Sequence, residues 1–343
     1  LLRAYGSEVV VCPVDVAPQD PRSYYSTAER LAKETPNAFR PNQYANLDNP
    51  LSHFSSTGPE IWDQTEGKVT HFVAGAGTGG TICGVGKYLK EQNPEIQIIA
   101  ADPEGSVYSG GDGRPYLVEG VGEDFWPETY DPSVIDRVIP VSDAASFRRA
   151  REVTEREGLL IGGSCGTAVE AAITVASELT KDEMVVVLLP DSGRGYLSKI
   201  FNDDWMTNHG FLTQEAPTLG EVLASKSTDI PPIVYLQPED TVAEAIAAMS
   251  EYSISQVVIA QGSLPLSAAE IKGAINESQL NKIASDREEC GGVMSRPLQF
   301  AGIGTSISTV QEVLSAGQKL LIFKEGRPVG VVSHSDVIAY LNE

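Results

Sequence analysis

Basic residues, cysteine and long apolar runs are all scarce in this chain of 343 residues. Lysine and arginine number 25 against 47 aspartates and glutamates, which gives a formal net charge of −22. Nucleic acid and anionic membranes repel so acidic a chain, so neither is expected as its main partner. No apolar run has the length that spans a bilayer. We therefore expect a cytoplasmic enzyme that acts on small molecules.

The few cysteines are scattered along the chain at Cys12, Cys83, Cys165 and Cys290. No two of them form a Cys-x-x-Cys pair, which argues against a zinc site and against a thioredoxin-like motif. We expect buried, reduced thiols and no bound metal.

Strand-like and helix-like segments alternate over residues 1–203, and the chain length suggests two or three domains. The predicted strands are residues 9–12, 69–74, 96–101 and 184–189, and the predicted helices are residues 21–35, 82–92, 144–157 and 167–179. This alternation predicts an α/β domain whose parallel sheet is covered on both faces. Ligands of such sheets collect at the carboxyl ends of the strands.

The pattern changes after residue 203. Residues 204–218 lack apolar periodicity and are predicted to be a linker. Beyond it a weak repeat occurs: GEVLAS (220–225) is similar to GGVMSR (291–296), DTVAEAIAAM (240–249) to SISTVQEVLS (306–315), and residues 271–283 to residues 328–340. Because a duplicated unit usually buries its apolar face against its twin, we expect residues 219–343 to form one domain of two related halves.

A glycine-rich stretch, VAGAGTGGT (73–81), joins a predicted strand to a predicted helix. Such a turn can bind an anion, because free backbone N–H groups and the positive end of the helix dipole face it. It lacks the lysine of a P-loop but contains Gly-x-Gly-x-x-Gly at Gly75, Gly77 and Gly80. With Asp102 as the acidic residue after the next strand, NAD stays a rival ligand. The phosphate of another cofactor is preferred.

A second glycine cluster, IGGSCG (161–166), precedes another predicted helix. It fits the Gly-x-Ser-x-Gly motif of α/β-hydrolases, with Ser164 as nucleophile and Asp191 and His209 as its partners. Against this interpretation, His209 lies in the predicted linker and no HGGG-type oxyanion loop occurs. The alternative is a serine hydroxyl that caps a helix or binds a ligand.

Taken together, ordered motifs over most of the chain resemble one family. They are FRPNQYANLDNPLSHF (39–54), GAGTGGT (75–81), DPEGS (102–106), VEGVGEDFWP (118–127), GLLIGGSCG (158–166) and LLPDSGRGYLSKIFNDDWM (188–206). They are similar to the cystathionine β-synthases, which are fold-type II pyridoxal phosphate (PLP) enzymes, and the tail resembles their paired CBS domains. The resemblance implies a tryptophan synthase β-like catalytic domain in residues 1–203 and a regulatory α/β CBS pair (a Bateman module) in residues 219–343.

The resemblance also implies site residues. The glycine loop would bind the PLP phosphate through backbone and hydroxyl donors, and a neutral serine would hydrogen-bond the pyridine nitrogen. The implied cofactor contacts are Gly77, Thr78, Gly79, Gly80, Thr81, Ser164 and Asp191. The implied substrate contacts are Gln43, Tyr44, Gly120, Val121 and Gly122.

The implied reaction replaces the hydroxyl of serine by the sulfur of homocysteine and gives cystathionine. The acidic segment GEDFWP, with Glu123 and Asp124, and the CBS tail favour this activity over cysteine synthase, which uses O-acetylserine and sulfide. Two hypotheses of other classes stay open. One is a non-catalytic sensor of adenosyl ligands on a PLP-type fold, and the other is an NAD oxidoreductase.

One part of the family pattern has no match in this sequence. It comprises the lysine that holds PLP as a Schiff base and the serine- and glycine-rich loop that follows it. The first lysine of the chain is Lys33, inside a predicted helix. We expect a further N-terminal segment before Leu1, so no catalytic lysine is named.

The CBS tail implies an adenosyl ligand, with S-adenosylmethionine (SAM) as the family's allosteric ligand. Ser333 would contact polar ligand atoms and Asp336 would accept from ribose hydroxyls, although both side chains are equally suited to capping the last helix. Gln256 would line the same cleft. The matching residues of the first copy, Asn276 and Gln279, depart from the pattern. The resemblance further implies a homodimer or homotetramer.

Overall fold

A computed structural model describes residues 2–13, 16, 20–213, 217–226, 230–280 and 287–342. Its helices are α1 (Tyr24–Glu34), α2 (Asp48–Ser55), α3 (Thr57–Gln64), α4 (Gly80–Gln92), α5 (Asp143–Glu157), α6 (Gly163–Ala176), α7 (Asp203–Asn208), α8 (Leu219–Ser225), α9 (Val242–Glu251), α10 (Glu277–Leu280), α11 (Cys290–Val293), α12 (Ile307–Ser315) and α13 (His334–Leu341). Its strands are β1 (His71–Gly75), β2 (Gln97–Pro103), β3 (Arg137–Val141), β4 (Val185–Val187), β5 (Tyr235–Leu236), β6 (Gln256–Ala260), β7 (Ile271–Asn276), β8 (Gln299–Gly302), β9 (Leu320–Lys324) and β10 (Arg327–Val332). Over these described ranges, no helix combines the length and the apolar character that a membrane span requires.

Parallel strands form the N-terminal sheet, in the order β3-β2-β1-β4. Successive side chains of a strand point to opposite faces of the sheet. Phe72 of β1 belongs to the core that includes α4 residues, whereas the next residue, Val73, belongs to the core that includes α6 residues. Because both faces are covered, β1 and β2 are largely buried, which confirms the predicted α/β class.

Three of the predicted strand segments overlap β1, β2 and β4. Two differences between prediction and structure have clear physical reasons. The strand β3 was not predicted. It lies at the edge of the sheet, where Pro140 is tolerated because no ladder donor is needed there. The strand predicted at residues 9–12 is absent, and Val11 is 82% exposed. β-branched residues form a strand only where a partner strand and a face to bury are available.

The two repeats of the C-terminal part fold alike. In the first, β5 runs parallel to β6 and β7 is antiparallel to β6; in the second, β8 runs parallel to β9 and β10 is antiparallel to β9. Val258 of the first copy and Phe323 of the second belong to one buried apolar cluster. The duplicated unit therefore buries part of its apolar surface against its twin, as the repeat predicts.

The segment predicted as a linker, residues 204–218, contains most of α7. Met206 is 1% exposed and belongs to the core that includes Phe147 of α5. The carbonyls of His209 and Gly210 accept from N–H groups of the β9–β10 turn. Apolar side chains at irregular spacing escape a search for periodicity yet still pack. The boundaries at residues 203 and 219 stay a prediction.

An ion pair between the half-buried Arg114 and the buried Glu270 connects the two halves of the chain. Arg114 donates from Nε and Nη2 to the two carboxylate oxygens of Glu270, at 2.9 Å each. Its Nη2 also donates to the carbonyls of Ser263 at 2.6 Å and Pro265 at 2.9 Å. The side chain of Glu270 is 1% exposed. A carboxylate so deeply buried depends on this guanidinium for its stability.

Candidate active site

The glycine loop leaves the carboxyl end of β1 and enters the N-terminus of α4. Gly79 has a φ of 82°, and a Cβ on it would lie 2.7 Å from Cδ2 of Tyr130 and 2.8 Å from its Cα. Glycine is therefore required here both by backbone conformation and by space. The next residue, Gly80, is the first residue of α4, and a Cβ on it would overlap the side chain of Asn49.

Side chains from neighbouring segments fix this loop from behind. Thr129 Oγ1 donates to the carbonyl of Thr78 at 2.7 Å, and Tyr108 donates to the carbonyl of Gly77 at 2.6 Å. Asn49 Nδ2 donates to Thr78 Oγ1 at 3.1 Å. These contacts direct the loop carbonyls toward the protein. The sequence gives no sign that Asn49, Thr129 and Tyr108 contact this loop.

The N–H groups of the same loop are left without acceptors. In the described part of the chain, those of Gly77, Thr78 and Gly79 make no hydrogen bond. Thr81, the second residue of α4, places its Oγ1 3.2 Å from His53 Nε2. Adjacent unpaired N–H groups at a helix N-terminus form a site for an anionic group such as a phosphate. The loop thus fits the phosphate of the implied cofactor.

Ser164 stands in the first turn of α6 and is 5% exposed. Its hydroxyl has no hydrogen-bond partner among the residues that the structure describes. A Cβ on Gly120 would lie 3.9 Å from Ser164 Oγ, and a Cβ on Gly77 would lie 3.3 Å from the Gly120 carbonyl. Gly120 therefore lies beside both the glycine loop and Ser164. An unpaired hydroxyl so nearly buried suits a ligand atom with a lone pair.

The loop of Gly120, Val121 and Gly122 is held against the glycine loop. The N–H of Gly122 donates to the carbonyl of Ala76 at 2.7 Å. Gly120 and Gly122 have φ values of 87° and 75°, and Val121 is 6% exposed. Ahead of them in the chain, Glu119 forms an ion pair with Lys199. Left-handed glycines let this backbone pass close to the space in front of Ser164.

The backbone carbonyls of Gln43 and Tyr44 accept hydrogen bonds from residues that also contact the glycine loop. Asn49 Nδ2 donates to the Gln43 carbonyl at 2.8 Å, and Thr129 N donates to the Tyr44 carbonyl at 3.3 Å. The side chain of Gln43 is exposed. The ring of Tyr44 lies 5.4 Å from that of Phe125. Both predicted substrate contacts are thus near the loop, and their role stays a prediction.

Asp191 contacts the start of α6. It accepts from the Tyr196 hydroxyl at 2.9 Å, and Cys165 Sγ donates to it at 3.2 Å. Burial raises the pKa of Cys165 to about 11, so its thiol stays protonated near neutral pH. Asp191 is thereby connected to the residue that follows Ser164, and its predicted role in cofactor binding is untested.

The structure does not support the hydrolase and NAD interpretations of the sequence. His209 Nδ1 lies 2.8 Å from the Trp205 carbonyl, and its ring stacks on that of Trp205; it makes no contact with Ser164 in the described structure. This rules out the hydrolase triad. Asp102 is 0% exposed and accepts from the Ser109 N–H at 2.9 Å. A carboxylate buried in this way cannot bind the ribose of NAD.

Comparisons with known proteins agree with this geometry. A family model described as pyridoxal-phosphate dependent enzyme matches residues 1–191, and a CBS domain model matches residues 227–264 and 290–343. The chain is 30% identical to the cystathionine beta-synthases of Dictyostelium discoideum and Saccharomyces cerevisiae, over 99% of this chain and over 72% and 77% of theirs. The chain belongs to the cystathionine β-synthase family of PLP-dependent enzymes.

Other members of this family match over shorter regions. The chain is 43% identical to the cystathionine beta-synthase of Apis mellifera over 216 residues, which are 62% of this chain and 43% of that protein. A solved structure, the O-acetylserine dependent cystathionine beta-synthase from Helicobacter pylori, is 35% identical with a TM-score of 0.54. That match covers 58% of this chain and 64% of the other. The chain thus spans less than half of the Apis mellifera protein and under two thirds of the solved chain.

The CBS part of this family member contains a cavity of about 500 Å³ between its two copies. Ser333 and Asp336 line it, and they also form a reciprocal cap at the start of α13. Both interpretations from the sequence, capping residue and cavity residue, therefore apply to the same side chains. Gln256, from the first copy, also lines the cavity, and its buried Nε2 has no hydrogen-bond partner in the described ranges.

Two lysines also line this cavity. Lys226 Nζ lies 3.0 Å from Asp336 Oδ1, and Lys319 Nζ donates to Ser255 Oγ. Burial lowers the pKa of Lys319. In the first copy, Asn276 and Gln279 cap each other's N–H groups at 3.0 and 3.1 Å and do not line this cavity. No motif of the sequence indicated the lysines, because neither belongs to a local pattern.

Proposed function

We propose that the protein that carries this chain is a cystathionine β-synthase: with PLP, it replaces the hydroxyl of serine by the sulfur of homocysteine. The observation that carries this proposal is the presence of two sets of unsatisfied donors, one on each side of Gly120. The N–H groups of the glycine loop are unpaired on one side, and the nearly buried Ser164 hydroxyl is unpaired on the other. These groups match the two polar ends of PLP.

Each donor has a distinct task. The N–H groups of Gly77, Thr78 and Gly79 bind the phosphate, with the helix dipole of α4 adding a favourable field. The Ser164 hydroxyl donates to the pyridine nitrogen and, as a neutral partner, leaves that nitrogen unprotonated. PLP, when bound, supplies the electron withdrawal that weakens the bond to the leaving group. The loop from Gly120 to Gly122 positions the substrate and excludes water.

Cysteine synthase is the second candidate, because the solved relative from Helicobacter pylori is named O-acetylserine dependent. The two candidates differ in both substrates. Purified holoenzyme should form cystathionine from serine and homocysteine. Formation of cysteine from O-acetylserine and sulfide, without cystathionine under any condition, would favour the second candidate.

Replacing Ser164 by alanine is expected to weaken PLP binding about three- to tenfold, the effect of losing one neutral hydrogen bond. The loss is measured by titrating the apoprotein with PLP and following absorbance. Ser177→Ala serves as the control, because Ser177 is exposed just beyond the other end of α6 and bonds only locally. Equal affinities of both variants would contradict the assignment of Ser164.

We propose in addition that the cavity of the CBS pair binds SAM. The Asp336 carboxylate is placed to accept from ribose hydroxyls, and the unpartnered Gln256 amide suits an adenine or another polar group. Lys226 and Lys319 provide cations for the ligand's carboxylate. We further propose a catalytic domain in residues 1–203 and a CBS pair in residues 219–343, assembled as a homodimer or homotetramer in the cytoplasm.

Asp336→Asn is expected to weaken SAM binding by about tenfold, because an amide accepts more weakly from hydroxyls than a carboxylate does. Isothermal titration calorimetry measures the affinity, and the PLP absorbance should be unchanged. Gln279→Ala is the matched control, since Gln279 holds the equivalent position of the first copy outside the cavity. If both substitutions leave the affinity unaltered, the ligand does not occupy this cavity.

A further inference from the structure

Glu123 follows the loop of Gly120 to Gly122 and turns its carboxyl toward the glycine loop. Its Oε1 lies 3.9 Å from the position of a Cβ on Gly77. The Glu123 N–H donates to Ser106 Oγ at 3.1 Å, and its carbonyl accepts from the Val107 N–H at 3.0 Å. The backbone of Glu123 is therefore fixed on both sides, and its side chain is held at the edge of the candidate active site.

The carboxylate of Glu123 has no partner of opposite charge. Neither oxygen forms an ion pair or a hydrogen bond in the part of the chain that the structure describes. The titratable groups that face it are Asp124 on its own loop, Tyr24 on α1, and Tyr108 and Tyr116 on neighbouring turns. Burial, with the charge of Asp124, raises the pKa of Glu123 to about 7.

Aromatic rings bound the same side of the site. Phe125 lies 5.4 Å from the ring of Tyr44 and 5.7 Å from that of Tyr25, measured between centroids. The ring centroids of Tyr24 and Tyr25 lie 3.9 Å apart. The faces of such rings attract cations. An unpaired carboxylate beside electron-rich rings favours a ligand with a positive charge.

We propose that the Glu123 carboxylate binds the ammonium group of the incoming thiol amino acid and so selects homocysteine over sulfide. The inference rests on the proposed function and adds to it the residue that chooses the second substrate. A charge-assisted contact of carboxylate and ammonium is stronger than a neutral hydrogen bond. Sulfide has no ammonium group, so it gains nothing from Glu123.

The sign of the pH dependence follows from this pairing. A bound cation favours the charged form of a carboxyl and lowers its pKa. In the protein without homocysteine, the pKa of Glu123 is about 7, so part of the population is protonated near neutral pH. That part must lose its proton when homocysteine binds. The affinity for homocysteine therefore falls as the pH drops below 7, and the affinity for sulfide has no such dependence on Glu123.

The test uses holoenzyme with E123Q and the matched control D124N, which removes the same charge from the exposed neighbour. Three second substrates are compared: homocysteine, its analogue without the amino group, and sulfide. E123Q is expected to raise the KM for homocysteine about 10- to 100-fold and to leave the KM for sulfide unaltered. Loss of the amino group should weaken binding to the unsubstituted protein but not to E123Q.

Two readouts do not depend on turnover. Calorimetry of homocysteine binding near pH 7, in buffers of different ionisation enthalpy, should show proton release by the unsubstituted protein and none by E123Q. Thermal unfolding at about pH 8 should give a higher midpoint for E123Q, because the unpaired carboxylate disfavours the folded state above its unfolded pKa. D124N should still release protons, though fewer than the unsubstituted protein, because loss of the Asp124 charge lowers the pKa of Glu123.

Each contrary outcome is distinct. If E123Q loses activity equally with homocysteine and sulfide, Glu123 acts in a step common to both and the inference is overturned. Unchanged KM values for both thiols, or equal proton release by both proteins, overturn it as well. If the unsubstituted holoenzyme forms no cystathionine from either donor, the proposed function fails, and the inference fails with it.

Discussion

Replacing Arg114 by methionine is expected to lower the free energy of unfolding by about 3 kcal/mol, the typical effect of removing one partner of a buried ion pair. Glu270 would keep the Ser267 N–H, which donates to its Oε2 at 2.6 Å, but it would lose every contact with a cation. The carbonyls of Ser263 and Pro265 would lose their donor too. Urea unfolding followed by circular dichroism measures the change.

Two controls separate the buried charge from the loss of packing. Adding Glu270→Gln to the methionine variant removes the uncompensated charge and should restore more than half of the lost stability. Arg137→Met breaks the exposed pair with Glu178, both partners being about half exposed, and should cost less than about 1 kcal/mol. A methionine variant of Arg114 that is no less stable than that of Arg137 would contradict the expectation.

Replacing Gly166 by alanine is expected to cost about 2–3 kcal/mol through overpacking. A Cβ here would overlap the Ser146 carbonyl oxygen and lie 2.9 Å from the Ala150 N, both in the backbone of α5. Backbone atoms cannot rotate away, so α5 and α6 must separate. Because Ser164 stands in the same helical turn, PLP binding should weaken in parallel. Thermal unfolding and titration with PLP measure the two effects.

The control for this substitution is Gly292→Ala in α11. Gly292 is exposed, and a Cβ on it meets no atom within 4 Å. Alanine there should stabilise the protein slightly, by up to about 1 kcal/mol, because it restricts the unfolded chain. A destabilisation of similar size at both positions would show that the loss at Gly166 is not caused by its contact with α5.

Local patterns predicted the framework of the site well. A strand, a glycine cluster and a helix follow each other directly in the sequence, so the loop of Gly77 to Gly80 could be placed before any tertiary contact was known. The same holds for Ser164 at a helix start. A cluster of glycines between a strand and a helix is informative, because it usually means a left-handed backbone or a close approach to a ligand.

The groups that fix the site could not be predicted in the same way. Asn49 and Thr129 reach the glycine loop from segments distant in sequence, and only the fold brings them to Thr78. Lys226 and Lys319 belong to different copies of the repeat and meet at one cavity. The sequence shows Glu123 as an acidic residue, but only the tertiary structure shows that its carboxylate has no partner among the described residues. Motifs record spacing along the chain, not proximity in space.

Different side chains cap the corresponding helices of the two CBS copies at equivalent positions. Ser333 and Asp336 use a hydroxyl and a carboxylate, whereas Asn276 and Gln279 use two amides, and either pair satisfies the exposed backbone donors. Each half can therefore form its helix cap whether or not the capping side chains also bind a nucleoside. After gene duplication, one half of such a module can therefore lose or change its ligand binding while the other half keeps it.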